Sequence, residues 1–219
     1  LPPQADVSSL NLGIGYNFLN TDYRYNPRKG NELSFIASAG TKNIRKNSEI
    51  VNLEDPSDPS YNFDKLYDTV KLKAYQFRIN AIAAHYLPLG KQSTLKLGLN
   101  AGIYQSASYY INELFRIGGY KLLRGFDEES QYVSQYGIGT VEYRYRIGIN
   151  SFFFAFADAG FGKYVLPAEA THAYLGTGLG LSFETKAGII NLAWAVGKRD
   201  DTQFNLRQSK IHIGFASFF

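Results

Sequence analysis

The chain has 219 residues, 45% hydrophobic and 16% aromatic, with 21 Gly, 17 Tyr, 16 Phe and neither Cys nor Met. The missing cysteines exclude a disulfide framework, thiolate metal sites and a cysteine nucleophile, and three scattered histidines (His85, His172, His212) carry no metal-ligand spacing. A net charge of +4 without a long Lys/Arg run leaves no stripe for nucleic acid. The longest apolar run is Phe152–Ala157, well short of the ~18 residues of a membrane helix. A membrane barrel stays open, because alternating strands average to a soluble-looking hydropathy.

A period of two runs through the chain where a helical period does not. Leu10, Leu12, Ile14, Tyr16 and Phe18 share one face, opposite Asn11, Gly13, Gly15 and Asn17. Leu33, Phe35, Ala37 and Ala39 repeat the pattern, as do Tyr75, Phe77, Ile79, Ala81 and Ala83, then Leu95, Leu97, Leu99, Ala101 and Ile103. Val141, Tyr143, Tyr145 and Ile147 alternate with Thr140, Glu142, Arg144 and Arg146. Residues 151–161 are apolar on both faces until Asp158, and three further strands follow around Leu179, Trp194 and Ile213. The prediction is about nine strands, each close to the ~9–11 residues that cross a bilayer at a tilt.

Connections around residues 87–92, 148–150 and 185–188 are tight, with 21–31 a longer turn on the same side. Those around 41–69, 106–135, 163–172 and 199–209 are long and polar. Short turns on one rim and long loops on the other is the layout of an outer-membrane barrel, which places Phe219 on the periplasmic side. A soluble barrel would turn its apolar face inward. Mid-strand charges at Arg78, Lys96, Glu142, Arg144 and Asp158 and the abundance of Tyr favour the inverted arrangement, apolar face to lipid. The fold class is therefore all-β, a transmembrane antiparallel barrel. Bacterial single-chain barrels have an even number of strands. An odd count, with no initiator Met or signal segment, leads us to expect a processed or truncated chain and strands preceding Leu1.

The stretch Leu114–Ser130, LFRIGGYKLLRGFDEES, carries the triplet Arg124-Gly125-Phe126. GIGTVEYRY at 137–145 and FADAG at 156–160 follow in order, and Pro27-Arg28-Lys29-Gly30 lies upstream. This order resembles the C-terminal barrel of the BamA/TamA-like outer-membrane assembly and translocation family, also called the bacterial surface antigen family. The resemblance covers essentially the whole chain. It implies the last nine strands of a 16-stranded barrel over residues 1–219, a loop at about 106–135 folded into the lumen, and no POTRA domain within the chain. It also implies insertion of barrel proteins or translocation of polypeptides, without cofactor or metal. The implied partners are outer-membrane lipid and client outer-membrane or secreted polypeptides, with periplasmic POTRA domains and accessory lipoproteins as further partners. A passive pore or a dedicated exoprotein secretion channel is the competing function.

The resemblance assigns the lumen-loop motif to Arg124, Gly125 and Phe126, with Gly118 and Gly119 supplying sharp turns. Its wall partners are Glu142 and Asp158, facing the interior by parity. A guanidinium fork suits two such carboxylates. The other reading leaves Arg124 solvated and pairs the acids with Arg144 or Arg146. The seam strand is 210–219, with Gly214, Phe215 and Phe219 its marked positions; Gly214 weakens local packing. Asp127, Glu128 and Glu129 read as a solvated acidic rim, and His85 and His212 as residues of the membrane interface. No nucleophile–base pair or phosphate-binding Gly loop is present, so no enzymatic activity is expected.

Overall fold

A computed structural model describes residues 5–217, apart from 55, 59, 69 and 70; Phe219, one of the marked seam positions, lies outside the described residues. The chain folds into β1 (Asp6–Thr21), β2 (Gly30–Arg45), β3 (Lys73–Pro88), β4 (Ser93–Ser106), β5 (Phe115–Ile117), β6 (Gln131–Val133), β7 (Gln135–Arg146), β8 (Phe152–Tyr164), β9 (Ala170–Thr185), β10 (Gly188–Arg199) and β11 (Lys210–Ser217). Nine of these form one antiparallel sheet in the order β1-β2-β3-β4-β7-β8-β9-β10-β11, while β5 and β6 make a separate small hairpin. The sheet is not closed: among the described residues β1 and β11 are its edges and do not pair with each other.

Register carries the apolar face unbroken from strand to strand. Leu99 lies opposite Ala83 and Gly139, Val141 opposite Leu97 and Ala157, and Leu179 opposite Ala155 and Trp194. The side on which that face lies is settled by neighbours on β7, where Val141 is 51% exposed and Glu142 only 5%. Leu12, Tyr75 and Ile213 are likewise exposed on the outer surface. Because side chains alternate with period two, the polar row must turn inward once the apolar row meets lipid. β1 is exposed along nearly its whole length, since nothing among the described residues covers its inner side.

The short rim is built by local turn chemistry. The Asp22 carboxylate accepts the backbone N–H groups of Arg28 at 2.8 Å and Lys29 at 3.1 Å, which closes the β1–β2 turn. Gly30 sits at φ +116°, and a Cβ there would lie 1.8 Å from the Asn20 carbonyl oxygen; only glycine fits. This turn folds under the barrel: Asn26 donates to the Ile149 carbonyl at 3.0 Å in the β7–β8 turn.

The inner face of β8 differs from a simple polar wall. Phe152, Phe154 and Phe156 are all buried and point inward, clustered with Ala193, Ala195 and Tyr120. Two glycines of β9 make the room, since a Cβ on Gly178 or Gly180 would lie 2.9 Å from Phe156 or 2.2 Å from Phe154. A second buried cluster joins the inner wall to the β4–β7 connection through Tyr104, Leu114, Phe115, Ile117, Leu123, Val133, Tyr136, Ile138 and Tyr174.

Candidate functional site

Residues 107–134, between β4 and β7, turn back against the inner wall and carry two buried ionic anchors to it. The first lies at a 3-10 turn, Ile111–Glu113. Lys42 of β2 is fully buried, with its ammonium 2.7 Å from Glu113 Oε2. It also donates to the Ser108 carbonyl at 2.7 Å, and the Tyr104 hydroxyl donates to Glu113 Oε1 at 2.7 Å. Arg78 donates to the Glu113 carbonyl and stacks on the Phe115 ring, 4.4 Å from its centroid. Every polar atom of the Glu113 carboxylate is thereby engaged, as burial of a charge demands.

The β5–β6 hairpin, whose two strands flank the second anchor in sequence, inserts Phe115, Ile117 and Val133 toward the wall. Gly118 and Gly119 then reverse the chain at φ +114° and +97°. A Cβ on Gly118 would lie 2.3 Å from the Asp127 carbonyl oxygen, and one on Gly119 would lie 1.7 Å from the Glu128 carboxylate. Mutual bonds between Gly119 and Leu123 close this turn, at 3.0 and 3.1 Å, and the next residue is Arg124.

Arg124 reaches both wall carboxylates. Its Nε and Nη2 donate to Asp158 Oδ2 at 2.8 Å and Oδ1 at 2.7 Å, and its Nη1 donates to Glu142 Oε2 at 2.5 Å. Its backbone N–H adds a third bond to Asp158 at 3.1 Å. The guanidinium plane lies over the Phe156 ring at 3.5 Å, a cation–π contact that covers the face not used for hydrogen bonding. Asp158 also accepts from the Thr140 hydroxyl at 2.8 Å, and Glu142 from Arg144 Nε at 2.8 Å. Arg124 and Arg144 thus share Glu142, while Arg146 lies apart, bonded to the Lys91 carbonyl. Lys96 stands opposite Glu142 in the β4–β7 register and adds a third cation.

The triplet continues across the neighbouring strands by close backbone approach. A Cβ on Gly176 of β9 would lie 2.0 Å from the Arg124 carbonyl oxygen, and one on Gly125, at φ +92°, would lie 2.5 Å from the Gly197 nitrogen of β10. Phe126 then packs edge-on to Tyr174, with centroids 5.4 Å apart. The Gly125 N–H donates to His212 Nε2 of β11 at 3.0 Å. His212 is buried on the inner face, which corrects its reading as a membrane-interface residue. The acidic run is only partly a solvated rim: Asp127 pairs with Lys210 at 2.7 Å, and Glu128 accepts the Tyr120 N–H at 3.0 Å. Gly214 and Phe215 lie on opposite faces of β11, with Phe215 outward and 61% exposed.

Several of these residues carried no sequence signal. Lys42 and Glu113 are 71 positions apart and belong to no motif. Phe152, Phe154 and Phe156 sit in a strand apolar on both faces, so alternation could not orient them.

At the rim, His172, Asp200 and Asp201 bring ligand atoms within 4.8 Å of one another. They are already satisfied by protein. The His172 hydrogen bond, at 2.8 Å, holds the Asp200 carboxyl below the usual carboxylate range, and the Arg199 fork does the same for Asp201. Burial pushes the Tyr120 phenol up to about 12, so it remains a neutral hydroxyl against the inner wall.

No described helix is long and apolar enough to cross a membrane, which is silent on strands as spanning elements. A comparison with curated proteins finds no match to this chain. The family model of the Omp85 superfamily domain, in contrast, matches residues 4–219, and the chain belongs to this superfamily, whose members in general insert or translocate proteins at the bacterial outer membrane.

Proposed function

We propose that this chain acts in outer-membrane protein assembly or polypeptide translocation of the BamA/TamA type, with β11 as the strand beside which clients are admitted. The observation that carries the reading is the dry packing of the loop on the inner wall. The loop after β4 is packed on the wall through a dry cluster that includes Ile117, Leu123 and Val133, each fully buried. A passive porin keeps a water-filled channel, whereas a loop-occupied interior suits a device that works at its wall. β11 supports the same reading: among the described residues it pairs with β10 over eight positions, against sixteen between β1 and β2. Its edge away from β10 has no ladder partner among the described residues, and the N–H and C=O groups of such an edge can template an incoming strand.

The proposal assigns no enzymatic step. Glu142 and Asp158 could be taken for an acid–base pair, but each is bound to arginine, and such saturated pairs serve structure. The implied partners are lipid, unfolded barrel clients or secreted polypeptides, and periplasmic domains or lipoproteins that deliver them.

The chain has no cysteine, so single cysteines placed at 210–217 give disulfide trapping without background. In proteoliposomes supplied with an unfolded outer-membrane barrel client, crosslinks to these positions are expected during insertion. Their complete absence while insertion proceeds would overturn the assignment of β11. Planar-bilayer recording separates the rival: small erratic openings are expected here, and a large steady selective current would mark a passive pore.

A further inference from the structure

The inner face of β11 is held by something other than its neighbour in the sheet. Its three successive inward positions, Lys210, His212 and Gly214, each meet the lumen loop. Lys210 Nζ lies 2.7 Å from Asp127 Oδ1. His212 Nε2 accepts the Gly125 N–H at 3.0 Å. The Tyr120 ring lies over Gly214 so closely that a Cβ there would be 3.1 Å from two ring carbons. Between these points the loop stands away from the strand around a cavity of about 400 Å³, lined by Tyr120, Lys121, Asp127, Glu128, Lys210 and His212 among others. The contact is therefore a set of discrete ties across a polar cleft, not a packed interface.

From this geometry we infer that the lumen loop is a latch on β11, with His212 and Lys210 as positioning residues that tie the strand to the loop. The inference rests on the reading of β11 as the seam strand for its functional meaning, but the latch itself is a property of the resting protein. Among the described residues β11 has eight ladder partners, all on β10, so pairing in the sheet holds it from one side and the loop ties add a second hold. The loop is fixed elsewhere, by Arg124 to β7 and β8. Ties from a fixed loop to β11 transfer that fixity to the strand. For β11 to part from β10 far enough to pair with another chain, Lys210 and His212 must first leave Asp127 and Gly125. A neutral imidazole with its proton on Nδ1 is needed for Nε2 to accept, and the Gln amide oxygen reaches the same place.

Hydrogen exchange of the protein in lipid nanodiscs, with no client present, tests the latch. In His212→Ala, exchange of amides 210–217 is expected to rise about tenfold, the scale of opening set by one lost buried hydrogen bond, while β7 and β8 keep the parent rate. His212→Gln is expected to restore the parent rate. Arg124→Ala, whose partners are on β7 and β8, is expected to loosen β11 as well. Asp127→Asn, in an exposed stretch of the loop, gives a milder rise even if a core variant fails to fold, and Lys210→Glu with Asp127→Lys reverses it. Unchanged β11 exchange in the His212→Ala and Asp127→Asn variants, an equal rise in β7 and β8 in His212→Ala, or no difference between the Ala and Gln variants would overturn the latch. Because no client takes part, this outcome is independent of the crosslinking test: exchange can fail with crosslinks present, or hold with crosslinks absent.

Discussion

Lys42 Nζ and Glu113 Oε2 lie 2.7 Å apart, with the lysine side chain fully buried and the glutamate 10% exposed. The pair joins β2 to the start of the lumen loop, on the wall opposite in sequence order to the one that receives Arg124. Both ions have left water, so their value lies in being satisfied together. Lys42→Ala would strand Glu113 beside Tyr104, and breaking a buried pair in this way costs on the order of 3–5 kcal/mol. Lys42→Met combined with Glu113→Gln should cost much less than Lys42→Ala. Urea titration of the three proteins in vesicles checks the order.

The two wall carboxylates depend on Arg124 unequally. Glu142 keeps Arg144 at 2.8 Å and faces Lys96, while Asp158 has only the Thr140 hydroxyl besides Arg124 among the described residues. In Arg124→Ala, Asp158 is the charge left uncompensated. Adding Asp158→Asn should recover more stability than adding Glu142→Gln, by roughly 1–3 kcal/mol, the scale for an unsatisfied buried polar group. Thermal unfolding of the single and double variants decides it.

Gly176 is required by contact and not by turn geometry. Its missing side chain admits the Arg124 carbonyl oxygen to within 2.0 Å of where a Cβ would stand. Backbone cannot yield as a flexible side chain can, so Gly176→Ala should displace the Arg-Gly-Phe segment at a cost of about 1–3 kcal/mol. Gly139→Ala, where the nearest atom would be 3.8 Å away, is the tolerated control. Limited proteolysis within residues 107–134 should separate the two.

The outer face gives a test of orientation. Val141→Arg puts a cation into lipid at mid-strand and should cost about 2–4 kcal/mol if that position lies near the bilayer midplane. Thr140→Ser, one residue away on the inner face, should be nearly silent. Folding yield and unfolding free energy in vesicles read the difference; a neutral Val141→Arg would place that face in water.

Much of the architecture is legible without coordinates, because alternation and loop length are local properties. The strands around Leu12, Phe77, Leu97 and Val141 announce themselves by period two, and the direction of Glu142 follows from its place between two outward residues. The first half of β8 does not, since the apolar run from Phe152 to Ala157 would read alike from either side; its inward phenylalanines are oriented by Gly178 and Gly180 of the next strand. The Lys42–Glu113 pair and the Gly125–His212 bond are also illegible. Each joins residues more than seventy positions apart, and nothing in a lone Lys or His distinguishes one that will face the loop from one that will face solvent.

The loop carries a carboxylate at one anchor and a guanidinium at the other, and meets wall groups of opposite sign at each. Docked the wrong way round it would set like charges together, so it has a single polarity of insertion. Its contacts also draw on strands from β2 to β11, and a slip of one residue in any of them would turn the needed side chain to the other face. Seating of the loop thus depends jointly on the register of strands from β2 to β11, and an error in any one of them would cost it a partner.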